Sequence, residues 1–186
     1  MNYYSIFAVS FTIALSGALT PGPLLATVIH HSGKHGFKTG PLVILGHAIL
    51  EIIMVTLLVL GFGNMVNNPE ILKGISIAGG IILAFFGGHM LKDAKIMAKD
   101  TGKAEPHSTN LVITGFIISV SNPHWTIWWL TVGLGLVLAA NKNGPAALAV
   151  FFAGHILADL AWYSIISFAI AKGKKFISES TYSVVI

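Results

Sequence analysis

Five long apolar segments make up most of this chain, and they constrain its fold more than any other feature. They run from Tyr4 to Ile29, Pro41 to Phe62, Ile71 to Leu91, Leu111 to Ala139 and Pro145 to Ala171. A transmembrane helix needs about 20 apolar residues, so each segment is long enough to cross a bilayer. Only 10% of the residues are charged and the mean hydropathy is +0.79, which leaves little sequence for a soluble domain. We predict an all-α polytopic membrane protein with five transmembrane helices in a single domain over residues 1–186.

Composition also excludes several classes of function. The chain has no cysteine, so disulfides, thiolate metal sites and thiol redox chemistry are impossible. Its net charge of +4 comes from lysine alone, and in a membrane protein such charge reports orientation rather than nucleic-acid binding. No nucleophile, base and orienting group lie at a workable spacing, and no cofactor motif is found. We therefore predict neither an enzyme nor a resident cofactor or metal, and no nucleic-acid partner.

The distribution of lysines predicts how the helices are oriented. Segments 1, 3 and 5 are each followed by a group of lysines, whereas the opposite side carries only Lys73 and Lys142. By the positive-inside rule, the N-terminus lies outside and the C-terminus lies in the cytoplasm. The longest connection, residues 92–109, is then cytoplasmic as well. We expect a multi-pass protein of the cell (inner) membrane.

Segments 1 and 4 each contain a helix breaker within their apolar length. Pro21-Gly22-Pro23 interrupts the first, and Asn122-Pro123 interrupts the fourth. Proline removes a backbone donor and collides with the preceding turn, so each helix should kink or unwind there. Exposed backbone groups are costly in lipid and persist only beside protein or a water-filled cavity. The three tryptophans that follow the second break, Trp125, Trp128 and Trp129, either line such a cavity or pack in the core.

A short motif occurs twice in the chain. Segment 2 contains GHAILE, residues 46–51, and segment 5 contains GHILAD, residues 154–159. Each copy follows a Gly-Pro pair and comes one segment after a proline-broken segment. An odd number of helices separates equivalent positions, so the halves run in opposite directions through the membrane. We predict half-repeats over about 4–92 and 109–175, the second incomplete, and inverted repeats that meet at broken helices are typical of secondary transporters.

The acids of the two copies are the only ones deep inside a segment. Glu51 lies about 16 Å along its helix from Gly40, and Asp159 about 22 Å from Gly144, near the middle of the bilayer. Ionisable groups at that depth are usually functional. His47 precedes Glu51 by four residues, and His155 precedes Asp159 by four, so each pair shares a helix face. The pairs could exchange protons, meet a cationic substrate group, bind a divalent metal or only clamp helices together.

The same features resemble a known family. Thr20-Pro21-Gly22-Pro23, the Gly46-His47 helix with its acid, and Ser121-Asn122-Pro123 are similar to the LysE/RhtB-type amino-acid exporters over about residues 5–175. The resemblance implies an inner-membrane exporter of amino acids or similar small metabolites, driven by protons or another ion. It also implies that Pro21, Gly22, Pro23, Asn122 and Pro123 belong to the substrate region.

One departure from this family pattern concerns helix number. The family usually has six helices, whereas five are found here, so either a homo-oligomer completes the second half or the protein is a truncated, non-transporting form. The leading hypothesis is a proton-coupled exporter working by alternating access, in which Glu51, Asp159, His47 and His155 form the midplane site. The alternatives are a divalent-cation exporter that uses the paired histidines and acids, and the non-transporting membrane protein.

Overall fold

The structure, a computed structural model, describes residues 2–61 and 110–173 together with five single positions, Glu70, Ile77, Ile81, Ala84 and Gly88. The described residues form helices and short connections and contain no strand. Apart from Phe62, four of the five predicted segments fall within these ranges and are helical except at their breaks and ends, and the single positions in and beside segment 3 are helical too. The all-α class is thus confirmed. Most of segment 3, the whole connection 92–109 and the residues after Gly173 lie outside the described part.

Segment 1 is broken where the sequence predicts. Helix α1 spans Tyr3–Ala18 and begins at Asn2, whose side chain accepts a hydrogen bond of 2.8 Å from the Ser5 amide. Helix α2 spans Pro23–His35 and has Gly22, in an extended conformation, as its N-cap. Pro23 stands in the first turn, where its missing N–H costs no intrahelical bond. The Pro-Gly-Pro sequence therefore ends one helix and starts the next.

A sharp turn at Gly36 joins segment 1 to segment 2. Gly36 has a φ of 71°, the left-handed conformation that glycine adopts without steric cost. A short 3-10 turn, Gly36–Lys38, then leads into helix α3, Thr39–Val59. The stretch Pro23–Val59 is apolar and long enough to cross a membrane.

Segment 4 contains two irregularities, only one of which the sequence predicts. Helix α4 spans Leu111–Val120, and helix α5 spans Pro123–Trp128 with the Asn122 side chain capping its first turn. A π-helical turn, Trp129–Gly133, then precedes helix α6, Leu134–Asn141. The proline break is thus confirmed, whereas the π turn is additional. Such turns occur frequently at functional sites.

Segment 5 is a single long helix, α7, over Pro145–Gly173. Gly144, with a φ of 87°, turns the chain into it. The stretches Pro123–Asn141 and Pro145–Gly173 join Pro23–Val59 as helices long and apolar enough to span a bilayer, while α1 and α4 are shorter apolar helices. The chain is a multi-pass membrane protein.

Two central helices, α3 and α7, run antiparallel, and each lies against the first helix of the other half. Gly40 of α3 packs against Tyr163 and Ser167 of α7, near the opposite end of that helix. Gly46 of α3 approaches the backbone of α4, and Gly154 of α7 approaches the backbone of α1. Small residues permit this closeness, which is how membrane helices associate without a hydrophobic driving force. The glycines of both motif copies therefore serve helix packing.

We expect Gly46→Ala to destabilise the protein. A Cβ at position 46 would collide with the carbonyl group of Val112 in α4, so the two backbones would have to separate. Overpacking of this kind costs about 1–3 kcal/mol. Thermal unfolding of the purified protein in detergent measures the effect. Gly135→Ala is the matched control, because a Cβ at that helical glycine meets nothing within 4 Å; equal melting temperatures for the two variants would contradict the expectation.

Candidate transport site

Four ionisable side chains meet where α3 and α7 cross, and we call His47, Glu51, His155 and Asp159 the tetrad. Glu51 Oε1 lies 3.0 Å from His47 Nε2 and 3.2 Å from His155 Nε2. Asp159 Oδ2 lies 3.7 Å from both of these nitrogens. All four residues are buried, and Glu51 is only 1% exposed. Because the helices run antiparallel, the acid of each motif copy comes beside the histidine of the other.

Two tryptophans from segment 4 also donate hydrogen bonds to the tetrad. The indole nitrogens of Trp129 and Trp125 lie 3.2 and 3.4 Å from Glu51 Oε1. Indole N–H groups only donate, so Oε1 is an acceptor surrounded by four nitrogen atoms. Donors aimed at a buried oxygen offset the loss of its hydration and stabilise its negative charge. Trp125 belongs to α5 and Trp129 opens the π turn, so the break and the π turn together place both indoles.

A serine holds the ring of His47 from its other side. His47 Nδ1 lies 2.7 Å from Ser119 Oγ, and Ser119 Oγ donates to the Gly115 carbonyl oxygen at 2.7 Å. Ser119 is 2% exposed and lies one turn before the break between α4 and α5. This contact is absent from the sequence-based prediction, because a serine in an apolar helix gives no sign of which helix it faces.

Three polar atoms of the tetrad are buried and have no hydrogen-bond partner among the described residues. They are Glu51 Oε2, Asp159 Oδ2 and His155 Nδ1. Buried polar groups in proteins are nearly always hydrogen-bonded, so three exceptions within one cluster call for an explanation, although other described residues, among them Ser32, Thr39 and Ser121, also carry such atoms. The tetrad therefore has remaining hydrogen-bonding capacity.

A cavity of about 280 Å³ lies between the two breaks and reaches the tetrad. This volume is close to the ~300 Å³ lower end of typical ligand pockets, so it suits a small solute. Its walls come from α1, α2, α3, α5 and α7, and they include all the predicted site residues except Pro123: Pro21, Gly22, Pro23, His47, Glu51, Asn122, His155 and Asp159. The remaining lining includes Trp125, Trp128, Trp129, Tyr163, His124 and Ala14. All three tryptophans line the cavity, and Trp125 and Trp129 also pack in the buried core, so both alternatives left open by the sequence apply.

The tetrad also has a geometry in which a cation could be held. His47, Glu51 and Asp159 each offer one ligand atom, and these atoms lie within 4.8 Å of one another. Imidazole nitrogen and carboxylate oxygen together suit several first-row divalent metals. The same atoms equally suit an ammonium group or a proton.

Helices long and apolar enough to cross a bilayer, two helix breaks and a buried polar cavity between them are typical of membrane transporters. The sequence profile of the LysE type translocators matches residues 15–186 of this chain. The chain therefore belongs to the LysE type translocator family. Members of that family are transporters, which fits the prediction of a protein that is not an enzyme.

Two curated relatives match most of the chain. It is 26% identical over 163 residues to the chemotactic transduction protein ChpE of Pseudomonas aeruginosa, covering 85% of this chain and 78% of that one. It is 24% identical over 160 residues to YcgF of Bacillus subtilis, which is named as a proposed amino acid efflux protein, covering 85% and 77%. No solved structure matches the chain significantly.

We expect Trp129→Phe to destabilise the protein more than Trp128→Phe. Both variants keep an aromatic ring, but only the first removes a donor from Glu51. A hydrogen bond to a charged group contributes about 1.5–3 kcal/mol. Unfolding in lipid nanodiscs, followed by near-UV circular dichroism, compares the two. If Trp128→Phe costs as much, the ring packing and not the indole donor is what supports the site.

Proposed function

We propose that this protein is a secondary exporter of amino acids or related small metabolites, coupled to protons, with the tetrad as its central site. One observation carries the proposal: the acids and histidines of the two motif copies meet, with unused hydrogen-bonding capacity, at a cavity between two broken helices. Membership of the translocator family and the name of YcgF support the direction and the substrate class.

The cavity offers complementary groups for the two ends of an amino acid. The oxygens of Glu51 and Asp159 would accept hydrogen bonds from the ammonium group. The break at Gly22 exposes backbone N–H groups at the start of α2, which would receive the carboxylate. Asn122, at the other break, also lines the cavity and would donate from its side-chain amide, because its backbone N–H and carbonyl already bond other residues of segment 4. A small amino acid matches the volume of about 280 Å³.

Coupling follows from competition for the same oxygen atoms. An ammonium group and a proton cannot both be held by the same carboxylate oxygens of Glu51 and Asp159. Proton uptake from outside would therefore release the solute and reset the site. The halves 4–92 and 109–175 would rock about the crossing of α3 and α7, with the proline breaks as hinges. We place the N-terminus outside and the C-terminus in the cytoplasm, and a homo-oligomer as the working form.

Glu51→Gln tests the proposal. Gln keeps the size of the side chain but can neither carry a negative charge nor take up a proton, so proton-driven efflux should fall at least about tenfold. Proteoliposomes loaded with single labelled amino acids and given an imposed pH gradient measure it, and a screen of the common amino acids first identifies the best substrate.

Glu70→Gln is the matched control for this measurement, because Glu70 is exposed and does not line the cavity. Its efflux should equal that of the wild type. Proton-coupled efflux that persists at the wild-type rate in Glu51→Gln would remove Glu51 from the mechanism. Absence of efflux from the wild-type protein for every amino acid would favour the non-transporting alternative.

A divalent cation is the second candidate substrate, favoured by the closeness of the ligand atoms of His47, Glu51 and Asp159. If a metal is carried, zinc, nickel, cobalt or manganese should raise the melting temperature of the wild-type protein. The stabilisation should disappear in a His47→Ala, His155→Ala double variant. No response of the wild type to millimolar concentrations of these four ions would exclude the candidate at ordinary affinities.

A further inference from the structure

The two histidines of the tetrad occupy equivalent places in the two halves, but their neighbours differ. Val43 and Phe151 each lie one helical turn before a tetrad histidine. Gly115 of α4 packs against the Val43 carbonyl, and Ser10 of α1 donates a hydrogen bond of 2.6 Å to the Phe151 carbonyl. These two contacts are equivalent, so the packing of α4 against α3 corresponds to the packing of α1 against α7.

The residues one turn further along α4 and α1 should therefore be the neighbours of the two histidines. Four residues after Gly115 comes Ser119, which contacts His47. Four residues after Ser10 comes Ala14, which lines the cavity with His155. The Ser119 hydroxyl therefore faces the ring of His47, and the correspondence predicts the Ala14 methyl group at the same place beside His155.

Ser119 determines which ring nitrogen of His47 carries a proton. Its hydroxyl hydrogen is donated to the Gly115 carbonyl oxygen, so Oγ is left to accept from His47 Nδ1–H. Nε2 of the same ring faces Glu51 Oε1 at 3.0 Å. Two bare lone pairs would repel at that distance, so a second proton has to lie between Nε2 and Oε1. Both ring nitrogens of His47 are therefore engaged in hydrogen bonds.

Only one ring nitrogen of His155, Nε2, has a hydrogen-bond partner among the described residues. Its Nε2 lies 3.2 Å from Glu51 Oε1, the oxygen that accepts from both indoles, so Nε2–H donates to it. A neutral imidazole with Nε2–H has an acceptor lone pair on Nδ1. That Nδ1 is buried and has no hydrogen-bond partner in the part of the chain that the structure describes. The ring is flanked by Trp128 and Trp129, with centroids 5.2 and 5.1 Å away, which hold its plane.

We propose that the two histidines have unequal roles: His47, positioned by Ser119, holds a proton against Glu51, while His155 keeps Nδ1 unpaired as a further acceptor, beside the carboxylate oxygens, for the ammonium group of the transported solute. The proposal rests on the proposed function for the identity of that group. It assigns Ser119 as a positioning residue and Ala14 as the residue that leaves His155 Nδ1 without a hydroxyl donor. Motif similarity alone would give both histidines the same role.

Nitrogen-15 NMR of the histidine rings tests the protonation pattern without any transport. Histidine-labelled protein in lipid bilayers is used, and signals are assigned with His47→Gln and His155→Gln. We expect a protonated Nδ1 for His47 and an unprotonated Nδ1 with a protonated Nε2 for His155. Ser119→Ala should abolish the single protonation state of the His47 ring, and Ser119→Thr should restore it. A protonated Nδ1 on wild-type His155, or no change at His47 in Ser119→Ala, would overturn the assignment.

Efflux kinetics test the role of the free nitrogen. Ala14→Ser places a hydroxyl that donates to His155 Nδ1, so the KM for the amino acid should rise about three- to tenfold, the value of one net hydrogen bond, with little change in maximal rate. Ser119→Ala should instead alter the pH profile of the maximal rate. Ser10→Ala is the matched control, since Ser10 bonds a backbone carbonyl and no histidine, and both parameters should stay unchanged.

Together, the NMR and efflux experiments distinguish a failure of this proposal from a failure of the proposed function. An unchanged KM in Ala14→Ser would refute the role of His155 even where the wild type exports amino acids. A wild-type protein without amino-acid efflux would count against the proposed function, whereas the ring-nitrogen signals would still decide whether the histidines are unequal.

Discussion

A carboxylate buried in the middle of a membrane protein must be compensated by nearby donors, and the arrangement of this chain around Glu51 follows from that requirement. Four nitrogen atoms, from His47, His155, Trp125 and Trp129, surround a single oxygen of a side chain that is 1% exposed. They come from three helical segments, so no one segment satisfies the acid by itself. The cost of an uncompensated charge in that position is several kcal/mol. Assembly of the helices and compensation of the charge are therefore the same event.

Glycine and proline make this assembly possible in different ways. Glycines at 46, 115 and 154 allow backbones to approach closely enough for short side chains to meet across helices. The prolines do the opposite, since they open the helices and expose backbone groups that lipid cannot satisfy. Each break is capped at its helical side, by Asn122 in one half and by the backbone of Gly22 in the other. Residues of both breaks line the cavity, where a polar solute could meet them.

The sequence predicts the apolar segments, both breaks and the four members of the tetrad, because hydropathy, proline and buried charge are local signals. It does not predict that Glu51 pairs with the histidine of the other copy, since the rotation of a helix about its axis depends on packing. Ser119 and the indole donors were missed for the same reason: serine and tryptophan are common in apolar helices whether or not they bond an acid. The π turn that begins at Trp129 has no sequence signal of its own.

The unused atoms of the tetrad distinguish a working site from a structural clamp. A clamp is most stable when each buried donor and acceptor is paired, since an unpaired group costs about 1–3 kcal/mol. Glu51 Oε2, Asp159 Oδ2 and His155 Nδ1 are instead left without hydrogen-bond partners in the described residues, on side chains that line a cavity wide enough for a small solute. The packing of α3 against α7 does not itself require that cost, because Gly40 already allows α3 to pack closely against Tyr163 and Ser167 of α7. Atoms kept unpaired at such a place are what a site needs if it binds a solute and a proton in turn.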